Sequence, residues 1–217
     1  MTLNMDFAAL VAADYRLAQW TPSPGNEVLR LMLERNGAEA GYATSLVRYP
    51  AGSRFPAHVH HGGEEFLVLQ GVFSDETGDF PAGSYVRNPI GSRHSPWSVA
   101  GCLLFVKLWQ MHEAAETATI RQVALEYGGQ SSKEMETVSL YADAYEQVSI
   151  RYALRVHPVH WSGCEILIVG GELECQQHRY APFSWIRIPS NLIIELKLRE
   201  NTVLWVKEGH LRDKKSG

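Results

Sequence analysis

Four residues, His58, His60, Glu64 and His94, have the types and spacing to hold a divalent metal ion. In the stretch "HVHHGGEEFLVLQG", His58 to Gly71, three histidines and two glutamates fall within eight residues, and an apolar run follows at once. His58 and His60 are two apart, so on one strand their imidazoles point to the same face. Gly62 and Gly63 permit a tight reversal, after which Glu64 opens the returning strand beside them. A "NPIGS" turn then brings His94 back on a distant strand. Three imidazoles and a carboxylate converging in this way form a first-row divalent metal site with room for water or a small ligand. Glu64 and Glu65 are adjacent in a strand and must face opposite sides, so only one can join the histidines. By the same parity His61 points away, unless the turn begins at it.

The elements that must position these groups are short strands. Runs such as "VLRLML", "TSLVRY", "EFLVLQ", "SYVRN" and "LLFVKLW" alternate with Gly/Pro-rich turns, the pattern of an all-β sandwich or barrel. Met111 to Gln122, "MHEAAETATIRQ", reads as a polar linker with a helical turn, and "LRDKKSG" as a frayed charged tail. The second half then repeats the first at a shift of one hundred residues. "EFLVLQGVF" aligns with "EILIVGGEL", "SYVRNP" with "SWIRIP" and "LFVK" with "LWVK". Two copies of one β domain are therefore expected, at residues 1–111 and 112–217. "EFLVLQ" and "EILIVG" are apolar on both faces, which calls for cover from the other half or from a second subunit in a homodimer.

Composition narrows the function. The 217 residues are 45% hydrophobic, enough for a real core, and the net charge of −4 with no basic stripe excludes direct nucleic-acid binding. The N-terminus has no basic region and no sustained apolar stretch, so neither a signal peptide nor a membrane helix is expected and the cytoplasm is the default location. Cys102, Cys164 and Cys175 are an odd number without CxxC spacing, which argues against a disulfide framework and fits a reducing compartment. Cys102 reads as a small buried hydrophobe, and Trp97 and Trp109 as core residues that could also wall a pocket.

Two spacings carry a family resemblance. Gly52, His58, His60, Glu64 and Gly71 form one, and Gly83, Pro89, Gly91 and His94 the other; together they match in order the paired motifs of the cupin superfamily. The resemblance implies a double-stranded β-helix, or jelly-roll, in each half and thus a bicupin. The spacing to Gly71 selects Glu64 over Glu65 as the fourth ligand. In the second half His58 corresponds to Pro158, Glu64 to Cys164, Gly91 to Asn191 and His94 to Ile194, and only His160 is kept. That half is expected to be structural or to bind an organic ligand, with a His157/His160/Cys164 site for a soft metal as the alternative.

The fifty residues from "TSLVRYPAGSRF" through "SYVRNPIGSRH" also resemble the cupin domain of ChrR-type anti-sigma factors. This implies zinc at His58, His60, Glu64 and His94, with Fe, Mn or Ni as alternatives, and a sensor of reactive oxygen that signals to a sigma factor. The family's N-terminal zinc domain, with its His-xxx-Cys-xx-Cys motif, has no counterpart in these residues, which puts the sigma factor partner in doubt. Two functions follow as expectations. One is a regulatory metal cupin responding to an oxidant or small ligand. The other is a metal-dependent, iron-type dioxygenase acting on a chelating substrate such as a diketone, with Arg48, Arg87 or Arg93 holding an anionic group.

Overall fold

The computed structural model describes residues 2–23, 27–37, 41–113 and 117–211. Among them are twenty-three strands, one 3₁₀ turn and no α-helix, and no helix is long and apolar enough to cross a membrane. The expected charged tail, apart from Leu211, lies outside the described residues, as does the centre of the expected linker.

The chain divides into two units, one of residues 1–5 and 19–123, the other of residues 6–18 and 124–217. In the first, the main sheet runs in the order Thr2–Leu3, Leu29–Asn36, Ala43–Tyr49, Cys102–Leu108, Glu64–Asp75, Ser84–Asn88, Thr119–Gln122. The far end of Glu64–Asp75 leaves this sheet to pair with Gly78–Pro81 and Trp97–Ser98, and His58–Val59 pairs with Arg93–His94. Gly71 sits where that long strand changes partners. Its φ is +73°, and a Cβ there would lie 2.1 Å from the carbonyl oxygen of Gly101, so only glycine fits.

The second unit has a six-stranded sheet, Met135–Ala142, Gln147–Ala153, Thr202–Glu208, Cys164–Gly170, Trp185–Ile188, Val11–Ala13, facing a four-stranded one, His157–Trp161, Ile194–Leu198, Leu173–Cys175, His178–Tyr180. The repeat seen in sequence recurs as strand register. Glu65 lies opposite Arg87 and Lys107, and Glu165 opposite Arg187 and Lys207. Even the bulge is duplicated, since Leu69 is the extra residue opposite Leu103/Leu104 and Val169 the extra residue opposite Val203/Leu204.

The division differs from the expected boundary at residue 111. Thr119–Gln122, read from sequence as linker, is a strand on the edge of Ser84–Asn88, and the first unit runs on to Val123. Likewise Val11–Ala13 belongs to the second unit, on the edge of Trp185–Ile188. Both segments satisfy backbone groups that an open sheet edge would leave unpaired.

Each unit has its own core. Val28, Tyr49, Phe66, Val68, Phe73, Phe80, Val86, Cys102, Leu104 and Val106 form the first. In the second, Ile166, Ile168, Ile186, Ile188, Leu196, Leu198, Leu204 and Val206 are wholly buried, together with Cys164. Leu67 and Leu69, on the opposite face from Phe66 and Val68, are also buried, as the doubly apolar strand requires.

Candidate metal centre

The reversal expected at the two glycines forms. The Gly63 N–H donates to the His60 carbonyl, Gly63 has a φ of +75°, and Glu64 begins the next strand. A side chain at Gly62 would strike Trp109 and one at Gly63 would strike Met111, so this turn is built for glycine. His94 lies opposite His58 in the short strand pair, and the turn before it is held by Gly91 and His60 through backbone hydrogen bonds.

These elements bring the three imidazoles together. The ring centroids of His58, His60 and His94 are 4.7, 4.9 and 4.8 Å apart, and one ligand nitrogen from each lies within 4.8 Å of the other two. His60 and His94 are buried and His58 half-buried. The Glu64 carboxylate is 3.4 Å from Nε2 of His60 and 3.7 Å from Nε2 of His94, while Asn88 donates to the same carboxylate oxygen at 2.9 Å. Glu65 faces the other way, accepting from the Tyr85 hydroxyl at 2.8 Å and lying 3.4 Å from the Arg87 guanidinium. His61 is exposed, near Trp109.

Hydrogen bonds fix which nitrogen two of the three rings present. His58 Nδ1 is 2.9 Å from the Pro56 carbonyl and His94 Nδ1 is 3.1 Å from the Asp75 carboxylate. Each Nδ1–H therefore donates outward and each Nε2 keeps its lone pair for the centre. His60 Nε2 is 3.0 Å from His94 Nε2. Imidazole–metal bonds of about 2.0–2.1 Å place neighbouring ligand atoms roughly 3–4 Å apart, so this donor set fits a divalent ion.

Electrostatics follow from burial and neighbours. Burial pulls the His60 pKa down, helped by His94 and His58 against the pull of Glu64, and keeps its imidazole neutral as a ligand must be. Burial also opposes a charge on His94, but the Asp75 hydrogen bond and the Glu64 carboxylate outweigh it and raise that pKa. Asp75 is the converse: burial raises its pKa, and hydrogen bonds from His94 and Thr77 more than reverse that.

The histidines open onto a cavity of about 270 Å³ walled by Val28, Val47, Phe55, Phe73, Leu104 and Val106, with Trp109 and Arg30 also lining it. Tyr49 lines it too; burial, and next the Glu64 carboxylate, push its pKa up and keep the phenol protonated. Trp109 thus walls the pocket, whereas Trp97 stacks against Arg54 outside that lining. None of the arginines singled out from sequence lines this cavity: Arg48 lies over Trp20, Arg87 is beside Glu65 and Arg93 is exposed. Asp75, Asn88 and Arg30 are the site residues that sequence reasoning missed.

The alternative soft-metal site does not assemble. His157 is buried and His160 is exposed beside Glu195, because residues three apart in a strand face opposite ways. Burial pushes the Cys164 thiol up to about 12, so it is no ready thiolate. Cys102 is likewise buried, its thiol pushed up to about 11, in keeping with a packing role.

Jelly-roll barrels, with three histidines converging inside the first, define a bicupin. Residues 9–112 match the family described as the ChrR cupin-like domain, so this stretch of the chain is a cupin domain of ChrR type. No curated protein matches the sequence. Among solved structures, a proposed dioxygenase from Nostoc punctiforme PCC 73102 is 13% identical with a TM-score of 0.70, covering 95% of this chain and 83% of that one. The bacterial pirin YhhW from Escherichia coli, in complex with nickel(II), is 12% identical with a TM-score of 0.68, covering 92% and 98%. At such identity both establish the fold alone. Rhodobacter sphaeroides ChrR in complex with SigE is 28% identical over 43% of this chain and 51% of that one, with a TM-score of 0.37, too partial for a structural comparison.

Proposed function

We propose that this protein is a regulatory bicupin whose first unit holds one divalent ion, zinc, through His58, His60, Glu64 and His94, and whose second unit keeps the barrel without the ligands. The observation that carries this reading is the convergence of three histidines, two of them with Nδ1 committed outward and Nε2 turned to the centre. Zinc is the ion that the resemblance to ChrR-type cupin domains implies; bound there, it would act as a Lewis acid toward a ligand or oxidant entering the cavity. The chain's own residues orient the rings, hold the Glu64 carboxylate through Asn88 and exclude bulk water with apolar walls. Treating zinc-loaded protein with peroxide and following metal release and thermal unfolding tests the sensory role. A dose-dependent change is expected, and identical metal content and melting before and after treatment would sink it.

A second reading is an iron-dependent dioxygenase, favoured by the apolar cavity beside the three histidines. Stoichiometric iron in the purified protein, with oxygen uptake that requires a diketone or catechol, decides for it. Iron-loaded protein inert to both decides against it.

A further inference from the structure

We infer that Tyr49 is a ligand-binding residue of the first barrel, its hydroxyl donating a hydrogen bond to an acceptor oxygen on a small, otherwise apolar molecule held over the histidines. The inference rests on the reading above of that cavity as the ligand chamber of a metal centre. Tyr49 ends the strand Ala43–Tyr49, two residues after Val47, so both side chains fall on the face that lines the cavity. Its ring packs edge-on against Phe73, centroids 5.5 Å apart, within the first core, and the residue is only 6% exposed.

Among the described residues nothing hydrogen-bonds to the Tyr49 hydroxyl. An unpaired buried hydroxyl is costly, and phenylalanine would pack the same wall without that cost. The cavity is where its partner can sit. Other polar groups of the lining are already engaged: the three histidines and Glu64 form the metal centre, and Arg30 lies over the Phe55 ring and makes further contacts of its own. Burial, and next the Glu64 carboxylate, keep the phenol protonated, so it faces the chamber as a donor. Apolar walls with one fixed donor select an apolar body and orient it by a single oxygen. The volume of about 270 Å³ equals roughly nine waters at ~30 Å³ each, which suits a molecule of about nine non-hydrogen atoms.

The second barrel shows the contrasting arrangement. By strand register the counterpart of Tyr49 is Ala153, since Tyr49 lies opposite Cys102 and Ala153 opposite Thr202, its equivalent in the repeat. Ala153 is buried in the aliphatic second core, beside Ile166, Ile168 and Leu204. The barrel without the metal ligands thus places a methyl group where the barrel with them places a phenol.

The test is calorimetric titration of the full chain, zinc-loaded and metal-free, with three probes of one size and shape: acetophenone, benzoate and the hydrocarbon isostere α-methylstyrene. Saturable binding of acetophenone or benzoate is expected, the first reporting a neutral ligand and the second an anion. Tyr49→Phe should weaken acetophenone by about 3- to 10-fold or benzoate by about 10- to 100-fold, the ranges for a neutral and a charge-assisted hydrogen bond, and leave α-methylstyrene unchanged. The same variant, without ligand, should melt at the wild-type temperature or above it, whereas a hydroxyl with a purely structural role would lower it. Binding of neither oxygen probe, full affinity in a folded Tyr49→Phe, an equal loss for α-methylstyrene, or a lowered melting temperature overturns the inference. Replacing Tyr49 with fluorotyrosine keeps the hydroxyl and gives a second readout should Tyr49→Phe not fold. Its fluorine resonance should move further with an oxygen probe than with α-methylstyrene, and equal movement overturns the inference. Metal content measured on the same samples separates the two readings. A wild type without metal defeats the metal reading, while an oxygen-probe affinity that depends on Tyr49 in that protein still upholds the role of Tyr49. Bound metal with unchanged probe affinity in Tyr49→Phe defeats this inference alone.

Discussion

Replacing Asp75 with Asn tests how the protein presents His94. Asp75 Oδ2 accepts from His94 Nδ1–H, while Oδ1 accepts from the Thr77 backbone N–H at 2.7 Å and from its hydroxyl at 2.5 Å. Asparagine has one acceptor oxygen, and the two donors of Thr77 claim it. The amide NH₂ must then face His94 Nδ1, where it can only donate. To accept that bond the imidazole shifts its proton to Nε2, the nitrogen that would ligate the ion. Losing a carboxylate behind a metal-binding histidine weakens affinity by about 10- to 100-fold, or ~1.4 to 2.8 kcal/mol. The tautomer reversal places Asp75→Asn toward the upper figure. Competition titration of zinc against a fluorescent chelator measures it, with thermal unfolding of the metal-free protein as a folding control. A zinc affinity within twofold of wild type, in a protein that melts normally, would refute the assignment of Nε2 and of Asp75 as the residue that orients it.

Other outcomes follow from the same geometry. His94 has a raised pKa in the metal-free fold, so its stabilising contribution is fully present below the ordinary value of 6.5 and is lost as pH rises through the folded pKa. Asp75→Asn should therefore lower the melting temperature of metal-free protein more at pH 5.5 than at pH 8.5, and an equal loss at both would contradict this. Glu64→Gln should reduce zinc binding and leave the fold intact. Glu65→Gln should do the opposite, costing about 3 kcal/mol in chemical denaturation because buried Arg87 loses a charged neighbour; matching phenotypes would break the parity argument. Removal of residues 1–18 takes away Val11–Ala13 and the Asp6 carbonyl that accepts from Arg187, so the second unit should unfold at lower denaturant. Adding back a synthetic peptide of residues 6–18 should restore part of that stability, and no change on removal would contradict the strand assignment.

Much of the site was legible because strand parity and glycine chemistry are local. The pairing of His58 with His60, the Gly62–Gly63 reversal and the separation of Glu64 from Glu65 need only alternation and a turn, while the choice of Glu64 came from the motif spacing to Gly71. The hundred-residue repeat gave the two barrels, since its three blocks became strands in the same register. Asp75 was hidden by the bulge at Leu69. Strict alternation from Glu64 puts position 75 outside, but one extra residue reverses parity, and Phe73 and Asp75 turn inward with Phe66 and Val68. Arg30 was hidden for another reason: a single arginine in "VLRLML" carries no motif, and only the pairing with Val47 places it on the cavity wall. The exchanged edge strands were missed because edge pairing depends on which backbone is open in the folded state. Thr119–Gln122 is short and mixed in polarity, and Val11–Ala13 is only three residues long, too little to announce it.

The most direct test of the account is elemental analysis of the purified full chain beside His94→Ala, with both proteins shown to be folded. The account predicts about one divalent ion per chain in the wild type, held by the three histidines and Glu64, and a small fraction of that in the variant. Equal metal content in the two proteins would contradict it.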